Sequence, residues 1–495
     1  MLSLFFVLFA SQSIFAQGST PPIESNGYTA WTSHSDMKLW LERLSEIYTV
    51  EMRLLRGKKE ADIPVVIIPA VQNDAMSVMV IAEQHGDEPS GMEASLHLIS
   101  DLLNGQLATW TDSVQWIIVP MVNPEGHELK SRRKKNGADL NRDHLTLSEP
   151  ETQYLHQIYN KYHPDVFIDV HEIPFVRATN EQRYERRIQE QVGYTTNLNL
   201  VDSTLNRIIH TSIFPFVEEK LKSKNISFTE CTFGNASAGE SVRYSSVDID
   251  DARQGIGAMG KSLSFLVEGL NGKNRNDSIF YRVQAQYECI KILSLACYRN
   301  RSSIQERVAS NRVRAFYLPE NVAIKMKYVS DGTSCDFPFI NRWNGKDTIF
   351  HLTDAFLNTV VTDMSIETPL GYWIPKDDKK LVDWVEAHEK GLFPFEKMEQ
   401  LKGGAEVKHM AVQMVATVPV WSTEEREGIT VPQWKVEWTD VQNWKEKDYI
   451  FVSTNTINGL RWVMALEPES MFALVRYPQF AYLRNHYPIL RVISR

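Results

Sequence analysis

The sequence predicts an α/β domain, with a mixed, mostly parallel sheet flanked by helices, followed by a smaller β-rich C-terminal domain. Three observations carry this. Short apolar runs recur at 64–69, 77–82, 115–122, 165–170 and 262–267. Helical periodicity fills gaps between them, at 89–104 and 149–162. Apolar strands alternating with helices belong to a sheet covered on both faces. After about residue 315 the texture changes: eight of the twelve tryptophans fall in 343–462, among short Val-, Ile-, Thr- and aromatic-rich runs broken by turn residues. That pattern reads as a second domain of short strands.

Taken in order, the chain opens with MLSLFFVLFASQSIFAQG. Leu4 to Ala10 form a short apolar run and Ala16 is a small residue at a cleavage position, so residues 1–16 are expected to be a signal peptide. The run carries no preceding Lys or Arg and is too short to cross a bilayer as a helix. No later stretch approaches about 20 apolar residues, so no membrane span is expected in the mature protein, which would be secreted or periplasmic. Residues 36–57 read as a helix followed by a strand, within a domain set at 30–313. The gap before it is about 15 residues. No propeptide is therefore evident, and activity without trimming is expected. Residues 278–313 read as one long or broken helix. The second domain is set at 315–495, with one helix near 378–389. A length of 495 residues fits two or three domains.

Composition narrows the function. With 43% hydrophobic and 23% charged residues the chain is globular. A net charge of −9 and the lack of a long basic run exclude nucleic acid as a natural partner. The four cysteines, Cys231, Cys289, Cys297 and Cys335, contain no C-x-x-C, which excludes a cysteine zinc site. Cys289 and Cys297 lie eight apart in one predicted helix, too far to bond to each other.

Three of the apolar runs end at residues that carry chemistry. VMVIA leads to His85 and Glu88, FIDV to His171, and SFLV to Glu268. In an open α/β sheet, ligands bind outside the carboxyl ends of the strands. Two histidines and one carboxylate with an open fourth position make a catalytic zinc site, and a further glutamate is what such a site uses as general base. The H-x-x-E spacing puts His85 and Glu88 on one turn, with Gly86 letting the backbone turn tightly. Alone, the pair is weak: thirteen histidines produce roughly one such match by chance.

The stretch NPEGHELKSRRKKNGADLNRD at 123–143 makes the pattern specific. His85-x-x-Glu88, Asn123-Pro124-x-Gly126, Arg132 nine residues ahead of Asn141-Arg142, His171 in IDVH and Glu268 in FLVEG follow one another in an order and spacing that resemble the zinc metallocarboxypeptidase family, the carboxypeptidase A-like enzymes. The resemblance covers about residues 30–300 and does not extend to the C-terminal part. It implies one Zn2+ held by His85, Glu88 and His171, with Glu268 as general base and Arg132 stabilising the oxyanion. Arg133 is the rival to Arg132. Asn141 and Arg142 would clamp a C-terminal carboxylate. Tyr244, twenty-four residues ahead of Glu268, would close over the substrate. Arg253, fifteen ahead of it, would lie at the base of the specificity pocket and favour an acidic side chain. The alternative for Arg253 is a pairing with Asp248, Asp250 or Asp251. Two departures bear on the substrate: Asp143, where the family commonly has Asn, sets a carboxylate beside Arg142, and Glu172 adds charge beside His171.

The leading expectation is an exported zinc carboxypeptidase acting on peptide C-termini. A second keeps the metal and changes the substrate to cell-wall stem peptides, as carboxypeptidase or amidase, or to acyl-amino acids. A third is a non-enzymatic binding protein on an inactive scaffold, with Trp421, Trp434, Trp438, Trp444 and Trp462 as a sugar platform; the plainer alternative is that they fill a core. The sequence does not indicate an oligomeric state.

Overall fold

A computed structural model describes residues 19–49, 52–55, 62–107, 112–174, 184–186, 191–196, 202–230, 232–233, 239–271, 279–392, 407–415, 425–426, 429–430, 435–441 and 444–494. The proposed signal at 1–16, Cys231, Trp421 and Trp434 lie outside them.

All five predicted apolar runs are strands of one eight-stranded sheet. Its members are β1 (Arg53–Leu55), β2 (Val65–Ile68), β3 (Met76–Ala82), β4 (Val114–Val119), β5 (Val166–Pro174), β6 (Gln191–Thr195), β7 (Phe228–Glu230) and β8 (Leu263–Asn271), in the order β1-β2-β4-β3-β5-β8-β6-β7. The centre is parallel: β4 with β3, β3 with β5, and β5 with β8. β2 joins β4, and β6 joins β8, antiparallel.

Alternate residues along β3 face opposite layers, as strand geometry requires. Val78, Val80 and Ala82 pack toward helices α1 (His34–Ile47), α2 (Ser90–Leu103), α5 (Phe214–Lys222), α6 (Ile279–Arg299) and α7 (Arg301–Arg314). Met79 and Ile81 pack toward α4 (Pro150–Tyr162) on the other face. Both faces being covered explains why these strands are apolar at nearly every position. The short helix α3 (Pro124–Leu129) follows β4.

Register decides where the strand ends meet. Ala82 pairs with Val170, and His171 with Glu268, so the carboxyl ends of β3, β5 and β8 are level.

The C-terminal region has the predicted β-rich character. β9 (Asn321–Val329) pairs with β12 (Thr359–Glu367), and β10 (Cys335–Asn341) with β11 (Asp347–Leu352). A five-stranded antiparallel sheet runs β15 (Lys435–Asp440), β14 (Val407–Val415), β17 (Leu490–Ser494), β13 (Gly371–Pro375), β16 (Tyr449–Ser453). Helix α8 (Lys379–Glu389) matches the predicted one, and α9 (Gly459–Leu466) is additional. The region's core takes in Leu145, Val247, Ile249 and Met259 from the first part beside Trp384, Trp462 and Phe472. Strand β10 also pairs with residues 184–186. Cys289 and Cys297 are buried free thiols. No described helix is long and apolar enough to cross a membrane.

Candidate metal centre and active site

The turn after β3 is held by the loop after β4. Val122 N donates to Ala82 O and Asn123 N to Glu83 O, both at 3.0 Å. Asn123 Oδ1 caps α3 by accepting from Gly126 N at 2.8 Å, while its Nδ2 donates to Gln84 O at 3.0 Å and to Arg132 O at 3.4 Å. One asparagine thus ties the His85 turn to the Arg132 loop. Gly86 is required here by close approach: a Cβ would lie 1.9 Å from the Gly126 carbonyl carbon.

His85 Nδ1 lies 2.8 Å from Glu88 Oε1, His171 Nδ1 lies 2.9 Å from Glu88 Oε2, and the two Nδ1 atoms are 3.1 Å apart. All three side chains are buried, and their donor atoms lie within 4.8 Å of one another. Tetrahedral ligands at Zn–N distances of about 2.0–2.1 Å lie about 3.3 Å apart, so the spacing and the His₂Glu donor set fit zinc.

The remaining ring nitrogens are oriented by carboxylates. His85 Nε2 faces Asp139 Oδ1 at 3.3 Å, and Asp139 Oδ2 accepts from Arg132 Nε at 2.9 Å. His171 Nε2 faces Asp169 Oδ1 at 3.1 Å. Gln84 Nε2 donates to both Asp169 oxygens at 2.9 and 3.0 Å, and Gln84 Oε1 takes the His144 Nε2–H at 2.7 Å. The network places protons on both Nε2 atoms and leaves the Nδ1 lone pairs for a metal. The sequence reading missed Asp139, Asp169, Gln84 and His144. Asp169 had a signal, because D-x-H on one strand puts both side chains on one face.

Glu268 stands beside His171 across the ladder. Among the described residues its Oε2 is buried without a hydrogen-bond partner. Burial pushes its carboxyl up to about 8, Glu88 and Asp169 adding to the rise and His171 and Arg132 opposing it. A bound divalent cation would draw this value down. Arg132 Nη1 lies 3.2 Å from His85 Nδ1 and 4.0 Å from Glu88 Oε1, at the mouth of the triad. Arg133 is half exposed and meets Asp139 only at 3.7 Å.

The remaining expected residues are placed less simply. Asn141 turns inward: its Oδ1 accepts from Ala252 N at 2.8 Å, and its Nδ2 lies 3.2 Å from His171 Nε2. Arg142 Nη1 donates to Asn141 O at 2.6 Å. Asp143 does not neutralise Arg142 by a direct pair. Its carboxylate accepts from Ser148 N, Glu149 N and Thr152 Oγ1 at the start of α4. Glu172 is neutralised by Arg282, which donates from Nε and Nη2 at 2.8 and 2.6 Å.

Tyr244 is buried with Val242, Phe337, Phe339 and Phe356, and burial together with the nearby Glu230 carboxylate holds its hydroxyl well above the usual phenol range. It is a packed side chain here, not one standing over the triad. Arg253 is buried, donating to Thr195 O at 3.0 Å, Ser245 Oγ at 2.7 Å and Ser246 Oγ at 3.1 Å, and pairing with Asp251 at 3.3 Å. Of the tryptophans offered as a platform, Trp462 is fully buried.

A family model described as zinc carboxypeptidase matches residues 56–174. The chain is 32% identical over 96 residues to a carboxypeptidase 2 of Trichophyton rubrum, covering 19% of this chain and 18% of that one. It is 24% identical over 188 residues to a probable carboxypeptidase 2 of Trichophyton verrucosum, 35% of this chain and 36% of that one. The chain thus spans little more than a third of these relatives at most. Among solved structures, a metallo-carboxypeptidase of Burkholderia cenocepacia is similar at 16% identity and TM-score 0.41, covering 55% of this chain and 71% of that one. One from Pseudomonas aeruginosa gives 17% and 0.41 over 55% and 70%.

Proposed function

We propose that the protein is an exported, zinc-dependent carboxypeptidase, a reading supported by the zinc carboxypeptidase family model that matches residues 56–174. The observation that carries the reading is the meeting of His85 Nδ1, His171 Nδ1 and Glu88 at the level strand ends, with Glu268 alongside. Bound there, zinc supplies Lewis acidity toward a carbonyl and lowers the pKa of a water to about 7.

The chain's own residues do the rest. Glu268 is the general base: its bare Oε2 receives the proton of the attacking water and delivers it to the leaving amine nitrogen. The water oxygen bonds to the scissile carbonyl carbon, the C–N bond breaks, and a shortened peptide and one free amino acid leave. Arg132, positioned by Asp139, stabilises the charge that develops on the carbonyl oxygen. Arg142 takes the substrate's terminal carboxylate, with Asn141 beside it, and Tyr244 would need to leave its apolar cluster to close over the substrate. An acidic side-chain preference would require Arg253 to exchange Asp251 for the substrate.

A second reading is favoured by one observation. Asn141 spends its Oδ1 on the Ala252 amide, which leaves Arg142 as the principal clamp. A weakened clamp suits stem-peptide or acyl-amino-acid substrates on the same metal. Mass spectrometry of a peptide pool, with stem peptides and acyl-amino acids included, tests both. Chelator-sensitive loss of single C-terminal residues, abolished by Glu268→Gln, supports the carboxypeptidase. Turnover confined to the other substrates favours the second reading, and none at full zinc occupancy overturns both.

A further inference from the structure

Away from the metal centre, a small cavity of about 10 Å³ lies where α4 and the helical segment ending near Gly260 meet the start of α9. Its lining includes His156, Tyr159, Asn160, Asn458 and Arg461. The volume has room for one water-sized particle.

The lining is cationic. Arg461 is only 6% exposed. Its Nη2 donates to Gly255 O at 2.6 Å and its Nη1 to Asn458 Oδ1. Among the described residues no carboxylate pairs with it. Lys261 is near enough for the two positive charges to repel, and burial with that repulsion lowers its ammonium to about 8. A guanidinium taken out of water without a counter-charge is costly, and buried charges are ordinarily paired. A second, independent feature points the same way. His156 is 2% exposed, lines the cavity, and its Nε2 has no hydrogen-bond partner among the described residues. In the tautomer protonated at Nε2 it is a buried donor that lacks an acceptor. Asn458, at the N-terminal end of α9, makes no side-chain cap there and serves Arg461 instead.

We propose that this cavity is a site for one small monovalent anion of the halide class, held by Arg461 and His156 and clamping the C-terminal region to the catalytic domain. A single-atom ion matches the volume, and an acceptor of charge −1 satisfies both unmet groups.

The test uses the full-length protein. Crystals soaked in bromide are expected to show an anomalous peak within hydrogen-bond reach of Arg461 and His156. In solution, replacing gluconate by bromide or chloride at constant ionic strength should raise Tm saturably, by about 3 °C or more once the site fills. The rise should vanish in Arg461→Met and shrink in His156→Ala. If Arg461→Met does not fold, the wild-type bromide map and the His156→Ala titration still decide. A water or a protein carboxylate in the cavity in place of bromide, or a halide response unchanged in the variants, would overturn the proposal.

Discussion

Replacing Asp169 by Asn should weaken zinc binding more than it weakens the fold. Asp169 is fully buried and sits between His171 Nε2 at 3.1 Å and the Gln84 amide at 2.9 and 3.0 Å. As a carboxylate it only accepts, so it holds the proton on His171 Nε2 and leaves Nδ1 for the metal. Asparagine offers an NH₂ of nearly the same shape. Turned toward His171 it stabilises the other tautomer, with the proton on the atom that must bind zinc. Turned the other way it opposes its NH₂ to that of Gln84. Loss of a carboxylate supporting a metal-bound histidine costs about 10–100-fold in metal affinity, or about 1.4–2.7 kcal/mol. Zinc dissociation constants from competition with a chromophoric chelator at pH 7 measure this directly. Activity at saturating zinc should recover most of its value, since nothing that touches substrate has changed. An affinity within threefold of wild type, in a variant with unaltered Tm, would refute the assignment of His171 Nδ1 as ligand atom.

Further outcomes follow from other parts of the molecule. Glu268→Gln should lower kcat about 10²–10⁴-fold while zinc affinity stays within a few fold, read by steady-state kinetics and chelator competition. Equal losses of both would make Glu268 a structural residue. Gly86→Ala should destabilise the fold by roughly 3 kcal/mol or more in urea titration, because the new Cβ meets backbone and not a movable side chain. Burial raises Glu467 to about 7 from an ordinary 4.5, with Arg491 and Tyr372 opposing. The folded state therefore binds this proton more tightly than the unfolded one. The stabilisation is complete below about pH 4.5 and is lost as pH rises through 7, at most about 3 kcal/mol. Glu467→Gln should accordingly gain stability over wild type at pH 8 and not at pH 4, and the reverse trend would reject the assignment.

The central sheet was legible because each core strand is long and apolar at both faces, a signal that survives without tertiary context. Strands β6 and β7 were not. QVGYT and FTE are short and part polar, and Gly193 reads as a turn residue although it is there because a Cβ would strike the Phe228 ring at 2.6 Å. The candidate metal ligands His85, Glu88 and His171 were legible because their chemistry is local to strand ends. The residues around the substrate were less so, because their state depends on distant partners. Asn141 is claimed by a backbone amide 111 positions away. Tyr244 is enclosed by phenylalanines from the C-terminal region. Arg253 has Asp251 two residues off, one of the pairings its surroundings allowed, together with Thr195 and Ser245, which no spacing suggests.

One path from the C-terminal region to the candidate metal centre runs through the Leu145 carbonyl. Trp384 Nε1 and His388 Nε2, both on α8, lie 2.8 and 3.0 Å from the oxygen of Leu145. Two donors on one acceptor fix the backbone next to His144. That ring stacks on His156 at 5.6 Å and sends its Nε2–H to Gln84, whose amide holds Asp169 against His171. Each link is buried, so breaking one leaves an unsatisfied polar group and not a water-filled gap. The path runs from a helix outside the sheet to the ligand that joins the site from β5. The carboxylate facing His85, Asp139, is held instead by Arg132 at the solvent side. The two histidines are therefore braced from opposite directions, one from the mouth of the site and one from the buried seam with the C-terminal region. A loosened seam should act first on His171, and through it on zinc retention, before it reaches Arg132 or the substrate side of the site.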